Sequence, residues 1–377
     1  MPPPCEPGLG IPWTTPEATV SEIERLLRRH VAGVPAYVTA RSRYRGGILL
    51  DANENSLGPS APDVHPDLHR YPDPRNGELR SALATWLEVP GDRLWLGNGS
   101  DEVIDLLIRV LVDPGSAVAV VEPSYGVYAQ RVEAHGALVR GVRLDERFDL
   151  DVEATVAAAD ECTLLFLCSP NNPTGNLLSS ERVLEVVRRT RCLVAVDEAY
   201  VEFAEPDARS VSLVREAGSK SGDGAGTERL AVIRTFSKAW GLAGARVGYL
   251  AGAPELVDGM NRVGLPYPLS LLSAQAARAA LKHAPAMERA RDLLVAERRR
   301  LEQTLMGMGL RTLPSDANFV LFFTERAAET QRRLADDHGV IVRDRSDMKG
   351  LAGGLRVTVG TAEENDRFLE ALREVMA

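Results

Sequence analysis

The sequence predicts an α/β protein built on a parallel or mixed β-sheet with helices on both faces. Between about residues 78 and 250, helical stretches alternate with short, continuous apolar runs. Strands buried on both faces have such runs, and parallel strands need helical crossovers between them. In sheets of this kind ligands gather at the carboxyl ends of the strands. The runs span residues 117–121, 163–167, 192–196, 231–233 and 247–250.

A smaller α+β unit is predicted after about residue 270. A long helical region there is followed by apolar runs at 319–322, 340–342 and 355–359, which alternate with helices. At the other end of the chain, residues 1–18 are rich in proline and are expected to form a loose arm. A short amphipathic helix is predicted from about residue 20 to 31. Residues 218–227 are rich in Gly and Ser and are expected to form a surface insertion.

Composition places the chain among ordinary globular proteins. It has 377 residues, of which 45% are hydrophobic and 26% charged. The net charge of -9 argues against nucleic acid or an anionic membrane as the main partner. The four cysteines show no C-x-x-C spacing, so no metal site is expected and a reducing cytoplasm fits. We expect neither a signal peptide nor a membrane span, since no apolar run approaches ~20 residues.

One lysine stands out as a candidate for chemistry. Only four lysines occur against forty arginines, and Lys238 follows an apolar run and precedes a Gly-rich stretch. A partly buried lysine loses its proton readily and then forms a Schiff base with a carbonyl, which an arginine cannot do. Lys238 is therefore the first candidate catalytic residue.

Polar residues follow two of the predicted strands directly. Asp197 comes after the run at 192–196, where a buried carboxylate would need a cationic partner. Taken alone, it is more typical of a helix N-cap. Asn172 lies after the run at 163–167, in a Pro- and Gly-containing segment that alone is typical of a turn.

An anion site is predicted before the helical run at 103–111. Gly99, Ser100 and Asp101 precede that run, where free backbone N–H groups would point outward. Ordinary capping by Ser100 or Asp101 is the alternative. Tyr125, after the run at 117–121, fits either a core aromatic or a platform for a stacked ring.

Together these residues resemble the class I/II aminotransferases, fold-type-I enzymes that use pyridoxal 5'-phosphate. The resemblance covers nearly the whole chain from about residue 35, and no single motif carries it. It implies a large domain with a mostly parallel seven-stranded sheet plus a smaller α+β domain. The implied division is an arm at 1–18, an N-terminal segment at 19–55 packing on the small domain and the dimer partner, a large domain at 56–270 and a small domain at 271–377. The matching residues are Gly99, Ser100, Asp101, Tyr125, Asn172, Pro173, Thr174, Gly175, Asp197, Tyr200, Ser237, Lys238 and Arg246.

The resemblance implies a role for each residue near the cofactor ring. Lys238 would hold the cofactor through its amine and move the proton during transfer. Asp197 would pair with the pyridine nitrogen and keep it protonated. Asn172 and Tyr200 would hydrogen-bond the ring hydroxyl oxygen, and Tyr125 would stack on the ring face.

The cofactor phosphate would lie at the other end of the same pocket. The resemblance places it on the helix N-terminus formed by Gly99, Ser100 and Asp101. Ser237 and Arg246 would close over it.

Further segments are similar to the histidinol-phosphate aminotransferases within this family. They lie at 34–37, 50–55, 70–74, 265–270 and 341–344. The sequence departs from the family pattern in three places. Residues 1–18 have no counterpart in it, the insertion at 218–227 is unusual, and Ala36 stands where a proline often does.

The same resemblance implies the substrate site and the assembly. Tyr37, Asn172, Arg343 and Arg356 would bind the substrate, with the tyrosine and the two arginines around its phosphate. Tyr71 would reach the cofactor phosphate of the neighbouring subunit, which makes the active site a property of a homodimer. The expected reaction transfers an amino group from histidinol phosphate to 2-oxoglutarate, and the carboxylate of glutamate would take the arginine that also holds phosphate.

Three alternatives stay open at this point. A threonine-phosphate decarboxylase would share Lys238, Asp197 and Asn172. An aminotransferase for aromatic amino acids would use the same pocket with a broader side-chain region. A non-catalytic cofactor-binding module on the same fold is a different class, against which the intact Lys238, Asp197 and Arg356 argue.

Overall fold

A seven-stranded, mostly parallel sheet forms the larger part of the molecule. The computed structural model describes residues 21–28, 31, 65–204 and 227–376. Tyr37, the predicted arm and most of the 19–55 and 218–227 segments lie outside the described residues. The strand order is β1-β7-β6-β5-β4-β2-β3, and β7 is antiparallel to both of its neighbours. The strands are β1 Leu94–Gly97, β2 Ala117–Glu122, β3 Leu138–Arg143, β4 Cys162–Cys168, β5 Leu193–Asp197, β6 Leu230–Thr235 and β7 Gly248–Ala251.

The continuous apolar runs have a direct structural cause. Successive side chains of β4 alternate between two hydrophobic clusters, with Leu165 and Leu167 on one face of the sheet and Leu164 and Phe166 on the other. Because strand side chains alternate with a period of two, a strand covered on both faces needs an apolar residue at every position. The predicted α/β class and the buried sheet are confirmed.

Helices cover both faces of this sheet and continue into the smaller unit. In α3, Val103, Ile104 and Leu107 are fully buried and pack on the cluster that contains Phe166. The α-helices are α1 Glu22–Leu26, α2 Gly77–Leu87, α3 Ser100–Leu111, α4 Val127–Ala134, α5 Val152–Ala159, α6 Ser180–Arg189, α7 Pro254–Val263, α8 Leu271–Lys282, α9 Ala284–Gly307, α10 Ala327–His338 and α11 Ala362–Met376. Short 3-10 helices span Pro66–His69, Gly91–Arg93, Val201–Phe203, Thr227–Arg229 and Ala243–Ala245.

The smaller unit contains a four-stranded antiparallel sheet in the order β10-β11-β9-β8. Its own hydrophobic cluster joins the sheet to α9, α10 and α11. This agrees with the predicted α+β character, whereas the residue boundaries proposed for the domains stay predictions. The strands are β8 Arg311–Thr312, β9 Phe319–Phe323, β10 Arg343–Asp344 and β11 Gly354–Thr358.

The strand predicted at residues 340–342 is wrong, because the strand there begins only at Arg343. Gly339 adopts a left-handed conformation with φ 67°, and the backbone N–H of Val340 donates to the carbonyl of Leu334 at 2.8 Å. These contacts end α10. The backbone N–H of Val340 is therefore bonded to the helix and not to a neighbouring strand. Ile341 is 77% exposed for the same reason.

The two units meet beside the loop that follows β4. The backbone N–H of Asp316 donates to the carbonyl of Gly175 at 2.7 Å, and the Asp316 carboxylate accepts from the N–H of Leu177 at 3.1 Å. This junction brings the small sheet against the loop that contains Asn172. None of the helices in the described ranges is both long and apolar enough to cross a membrane.

Candidate active site

A pocket opens at the edge of the large sheet where its parallel strands end. Asp197 is the last residue of β5, Asn172 follows β4, and Ser237 and Lys238 follow β6. Parallel strands bring their carboxyl ends to one edge, so residues far apart in sequence converge here. Arg356 reaches the pocket from β11 of the small sheet. The lining residues are Ser100, Asp101, Tyr125, Cys168, Asn172, Asp197, Ala199, Tyr200, Thr235, Ser237, Lys238, Arg246, Arg345 and Arg356.

Lys238 has the properties of an amine that can react. Its Nζ lies 5.4 Å from the centre of the Tyr200 ring, and the residue as a whole remains accessible to solvent. The surrounding protein still lowers the pKa of Lys238, first through burial of the amine and then through the positive charge of Arg356. A lowered pKa increases the share of neutral, nucleophilic amine at neutral pH.

Asp197 is a buried carboxylate held in a fixed orientation. The hydroxyl of Tyr128 donates to its Oδ2 at 2.7 Å, and the backbone N–H of Ala199 donates to its Oδ1 at 3.0 Å. Burial raises the pKa of Asp197 to about 6, although both hydrogen bonds oppose the rise. Among the residues of the described ranges, no Lys, Arg or His nitrogen lies within 4.0 Å of this carboxylate. The carboxylate caps the turn at Ala199 and still lacks a cationic partner at ion-pair distance.

Asn172 connects the large unit to the small one. Its Nδ2 donates to the Tyr200 hydroxyl at 3.3 Å, and its Oδ1 accepts from Nη1 of Arg356 at 2.5 Å. The Arg356 guanidinium also lies over the ring of Phe319, 5.1 Å from its centre. Asn172 is 5% exposed, so its side chain is held in place by these contacts.

The N-terminus of α3 is free of side-chain capping. The helix begins at Ser100, and its N-cap Gly99 has no side chain to satisfy the first N–H groups. Gly99 has φ 85°, a conformation that favours glycine. Strand β7 passes so closely that a Cβ on Gly248 would lie 2.3 Å from the backbone N of Ser100. Two glycines thus allow a bare helix N-terminus to face the pocket, which is a suitable anion site.

Charged and hydroxyl groups surround that N-terminus. Arg246 Nη2 donates to Asp101 Oδ2 at 3.0 Å, and its Nη1 donates to Ser237 Oγ at 3.3 Å. The Tyr125 hydroxyl donates to Asp101 Oδ1 at 3.2 Å. Asp101 therefore positions both the guanidinium of Arg246 and the Tyr125 ring beside the helix end.

Of the predicted site residues that the structure describes, Gly99, Tyr71 and Arg343 do not line this pocket. Tyr71 is 51% exposed and stacks on Tyr267, with ring centres 4.5 Å apart. Arg343 is exposed and lies opposite Arg356 in the β10–β11 pair. Tyr37 lies outside the described residues.

Two residues of the site were missed in the sequence. Tyr128, which holds Asp197, lies one helical turn after Tyr125, and that spacing would have suggested it. Arg345 lines the pocket and lies two residues after Arg343, the strand spacing that puts both on one face.

Comparison with known proteins identifies the family. The family model of aminotransferase class I and II matches residues 47–372. The histidinol-phosphate aminotransferase of Parabacteroides distasonis is 36% identical over 362 residues, covering 94% of this chain and 99% of that protein. That of Mycobacterium avium is 38% identical over 387 residues, covering 96% and 91%.

A solved structure agrees with these relatives. The histidinol-phosphate aminotransferase of Sinorhizobium meliloti, in complex with pyridoxal-5'-phosphate, superposes with a TM-score of 0.76 at 29% identity. The match covers 86% of this chain and 89% of that one. The chain therefore belongs to the class I and II aminotransferases and, within them, to the family of the histidinol-phosphate aminotransferases.

Proposed function

We propose that this enzyme uses pyridoxal 5'-phosphate to transfer the amino group of histidinol phosphate to 2-oxoglutarate. The observation that carries the proposal is the convergence on one pocket of an amine, a buried carboxylate and two separate sets of anion-binding groups. The amine is that of Lys238, the carboxylate that of Asp197. One anion-binding set surrounds the start of α3, and the other contains Arg356. A substrate and a cofactor that each carry phosphate need two such sets.

The residues present fit the cofactor. Asp197 is a buried carboxylate with no cation within ion-pair distance among the described residues, and a protonated pyridine nitrogen supplies one. The uncapped N-terminus of α3, with Ser100, Ser237 and Arg246, offers backbone N–H groups, hydroxyls and a guanidinium to a phosphate. A side chain on Gly248 would obstruct this N-terminus, so the close approach of β7 also fits an anion seated there.

When bound, pyridoxal phosphate supplies a carbonyl that takes up the amino group and a ring that accepts electrons from the substrate. Lys238 Nζ is the group that removes the proton from the substrate carbon bearing nitrogen, and its lowered pKa favours the neutral amine that this step needs. Asp197 holds the proton on the ring nitrogen. Asn172 and Tyr200 orient the ring hydroxyl, and Tyr125 covers one face and excludes water.

The substrate end of the pocket lies at the small sheet. Arg356 is fixed by Asn172 and presents its guanidinium to the pocket. We assign it to the phosphate of histidinol phosphate and, in the second half of the reaction, to a carboxylate of glutamate or 2-oxoglutarate. Arg343 and Tyr37 are proposed to complete this end. Among the described residues, none of the contacts in the pocket favours the decarboxylase or the aromatic aminotransferase.

A spectroscopic half-reaction tests the proposed function. The purified enzyme loaded with pyridoxal phosphate is mixed separately with histidinol phosphate, phenylalanine, tyrosine and threonine phosphate. Histidinol phosphate is expected to convert the cofactor to its amine form fastest, with kcat/KM at least about 10-fold above that of phenylalanine, because its phosphate has more charge and one more acceptor oxygen for the arginines of the pocket than the carboxylate of phenylalanine has. Release of carbon dioxide from threonine phosphate, with no conversion by histidinol phosphate, would contradict the proposal.

We further propose that the enzyme acts as a homodimer in which Tyr71 binds the cofactor phosphate of the neighbouring subunit. Large hydrophobic side chains close in sequence to the stacked Tyr71 and Tyr267 are exposed: Leu68 at 40%, Leu265 at 65% and Leu272 at 48%. Contiguous exposed apolar residues are typical of protein interfaces. Tyr71 does not line the pocket of its own chain and is 51% exposed, as a residue at a subunit interface would be in a single chain.

Mixed dimers test the role of Tyr71. Subunits carrying Lys238→Ala are combined with subunits carrying Tyr71→Phe. If Tyr71 acts across the interface, one site in each mixed dimer is intact, so about half of the sites are expected to bind cofactor with wild-type affinity. Uniformly weak binding in the mixture, or a single-chain mass in sedimentation, would refute the proposal.

A cytoplasmic location also belongs to the proposal. Cys162, Cys168 and Cys192 are buried free thiols, as a reducing compartment allows. Fractionation of the native cells tests this, and recovery of the enzyme outside the cytoplasmic fraction would contradict it.

A further inference from the structure

Three arginines gather where the small sheet meets the pocket. Arg343 and Arg356 are directly opposite each other in the β10–β11 pair. Arg345 follows Arg343 by two residues, and its backbone N–H donates to the carbonyl of Gly354 at 2.9 Å. This bond continues the pairing beyond β10, so the side chains of Arg343 and Arg345 belong to the same face. Arg345 and Arg356 line the pocket together.

The guanidinium groups of Arg345 and Arg356 lack protein partners that would neutralise them. The Nε of each is buried and has no hydrogen-bond partner. No acidic side chain in residues 21–28, 31, 65–204 and 227–376 lies within 4.0 Å of either group. The nearby carboxylate of Asp344 instead accepts from the backbone and hydroxyl of Ser346.

The burial and proximity of these like charges destabilise this end of the pocket when no anion is bound. Burial lowers the pKa of Arg345, and the positive charges of Arg356 and Arg343 lower it further. Like charges that face each other beside a pocket are stabilised by an anion bound between them. Arg345 lines the same pocket as Tyr200 and Lys238, so it lies on the side of the catalytic residues.

The two groups proposed to bind at Arg356, the phosphate of histidinol phosphate and a carboxylate of glutamate, differ in charge and in the number of acceptor oxygens. A carboxylate has one charge and two oxygens, which a single guanidinium can satisfy with two parallel hydrogen bonds. A phosphate ester has a charge of about -1.5 to -2 and three acceptor oxygens, so it can accept a second guanidinium. Arg356, already positioned by Asn172, is sufficient for the carboxylate.

We propose that Arg345 is a specificity-determining residue, which binds the phosphate of the amino donor beside Arg356 and thereby favours a phosphorylated donor over a carboxylate ligand at the same place. The inference rests on the proposed function, since it assigns one residue of that site to one of its two substrates. Arg345 is distinct from the arginines that the family resemblance supplied.

The test compares Arg345→Gln with wild type on two donors, histidinol phosphate and glutamate. The variant is expected to lower kcat/KM for histidinol phosphate about 10- to 100-fold, through KM, because a charge-assisted hydrogen bond to phosphate is lost. The value for glutamate is expected to change less than about threefold, since Arg356 still binds the carboxylate. Arg345→Lys keeps the charge and is expected to recover part of the loss. Arg326→Gln is the matched control, because this side chain is 68% exposed on the small unit away from the pocket.

A parallel fall for both donors, or no fall for either, would overturn the inference. Inorganic phosphate provides a readout that does not depend on the donor: it should compete with glutamate in the wild type and about 10-fold more weakly in Arg345→Gln. If the wild type does not use histidinol phosphate at all, the proposed function fails. In that case weaker competition by inorganic phosphate in the variant supports phosphate binding by Arg345, and unchanged competition overturns it.

Discussion

Lys238→Ala is expected to lower kcat for amino transfer by at least about 10⁴-fold, because the variant loses both the amine that holds the cofactor and the base that moves the substrate proton. The stopped-flow half-reaction with histidinol phosphate measures this loss. Binding of the cofactor phosphate should persist, since the start of α3, Ser237 and Arg246 are untouched. The variant is therefore expected to bind pyridoxal phosphate without its Lys238-dependent absorbance band.

Another lysine of the chain provides the control for this substitution. Lys282 is the last residue of α8 and is exposed, so Lys282→Ala should retain wild-type activity and absorbance. Lys238→Arg keeps the positive charge but not the nucleophile, and it is expected to be as inactive as Lys238→Ala. Substantial activity in either Lys238 variant would exclude Lys238 as the catalytic amine.

Asp197→Asn is expected to lower kcat about 10³-fold, because the amide cannot hold a proton on the ring nitrogen as a carboxylate does. The isosteric change keeps a side chain that can still accept from the N–H of Ala199. The loss should therefore appear in kcat and in cofactor affinity, without global unfolding. Full activity in Asp197→Asn would contradict the proposed role.

The same substitution should stabilise the enzyme freed of cofactor. Burial raises the pKa of Asp197 from its ordinary 3.8 to about 6, so the folded protein favours the protonated form. The associated stability is fully present below pH 3.8 and is lost as pH rises through about 6. At pH 8 this loss amounts to about 2–3 kcal/mol in the wild type, and Asp197→Asn avoids it.

Thermal unfolding of the cofactor-free proteins at several pH values measures this difference. Asp197→Asn is expected to have the higher Tm at pH 8, and the difference should shrink as pH falls below about 6 and vanish near pH 4. With cofactor bound the wild type should have the higher Tm, since the protonated ring nitrogen then neutralises the charge of Asp197. A difference that does not depend on pH would rule out burial of the charged carboxylate as its cause.

Much of the fold could be predicted because burial on both faces leaves a simple pattern. In β4, β5 and β6 the residues that belong to the two hydrophobic clusters of the large sheet include uninterrupted apolar runs. The edge strand β3 was not predicted, since Leu138–Arg143 contains two arginines and a glycine and only its Val142 is buried. The β10 strand was misplaced because the apolar Val340 and Ile341 resemble a strand, whereas the backbone at Gly339 and Val340 closes a helix.

The candidate site was predictable where a strand end fixes a residue's position. Asp197, Asn172 and Lys238 follow three neighbouring strands, so the sheet itself brings them together. Tyr128 and Arg345 depend on how α4 and the small sheet pack against that edge. A short sequence motif does not encode that packing. The available signals were the helical spacing from Tyr125 to Tyr128 and the strand spacing from Arg343 to Arg345.

Lys238 is proposed to carry the cofactor in the pocket at the edge of the large sheet. Borohydride reduction of the loaded enzyme fixes a cofactor held on an amine, and peptide mass spectrometry then locates it. The modification is expected on the peptide containing Lys238, at close to one per chain. Modification at Lys282 or Lys349, or none at all, would contradict it.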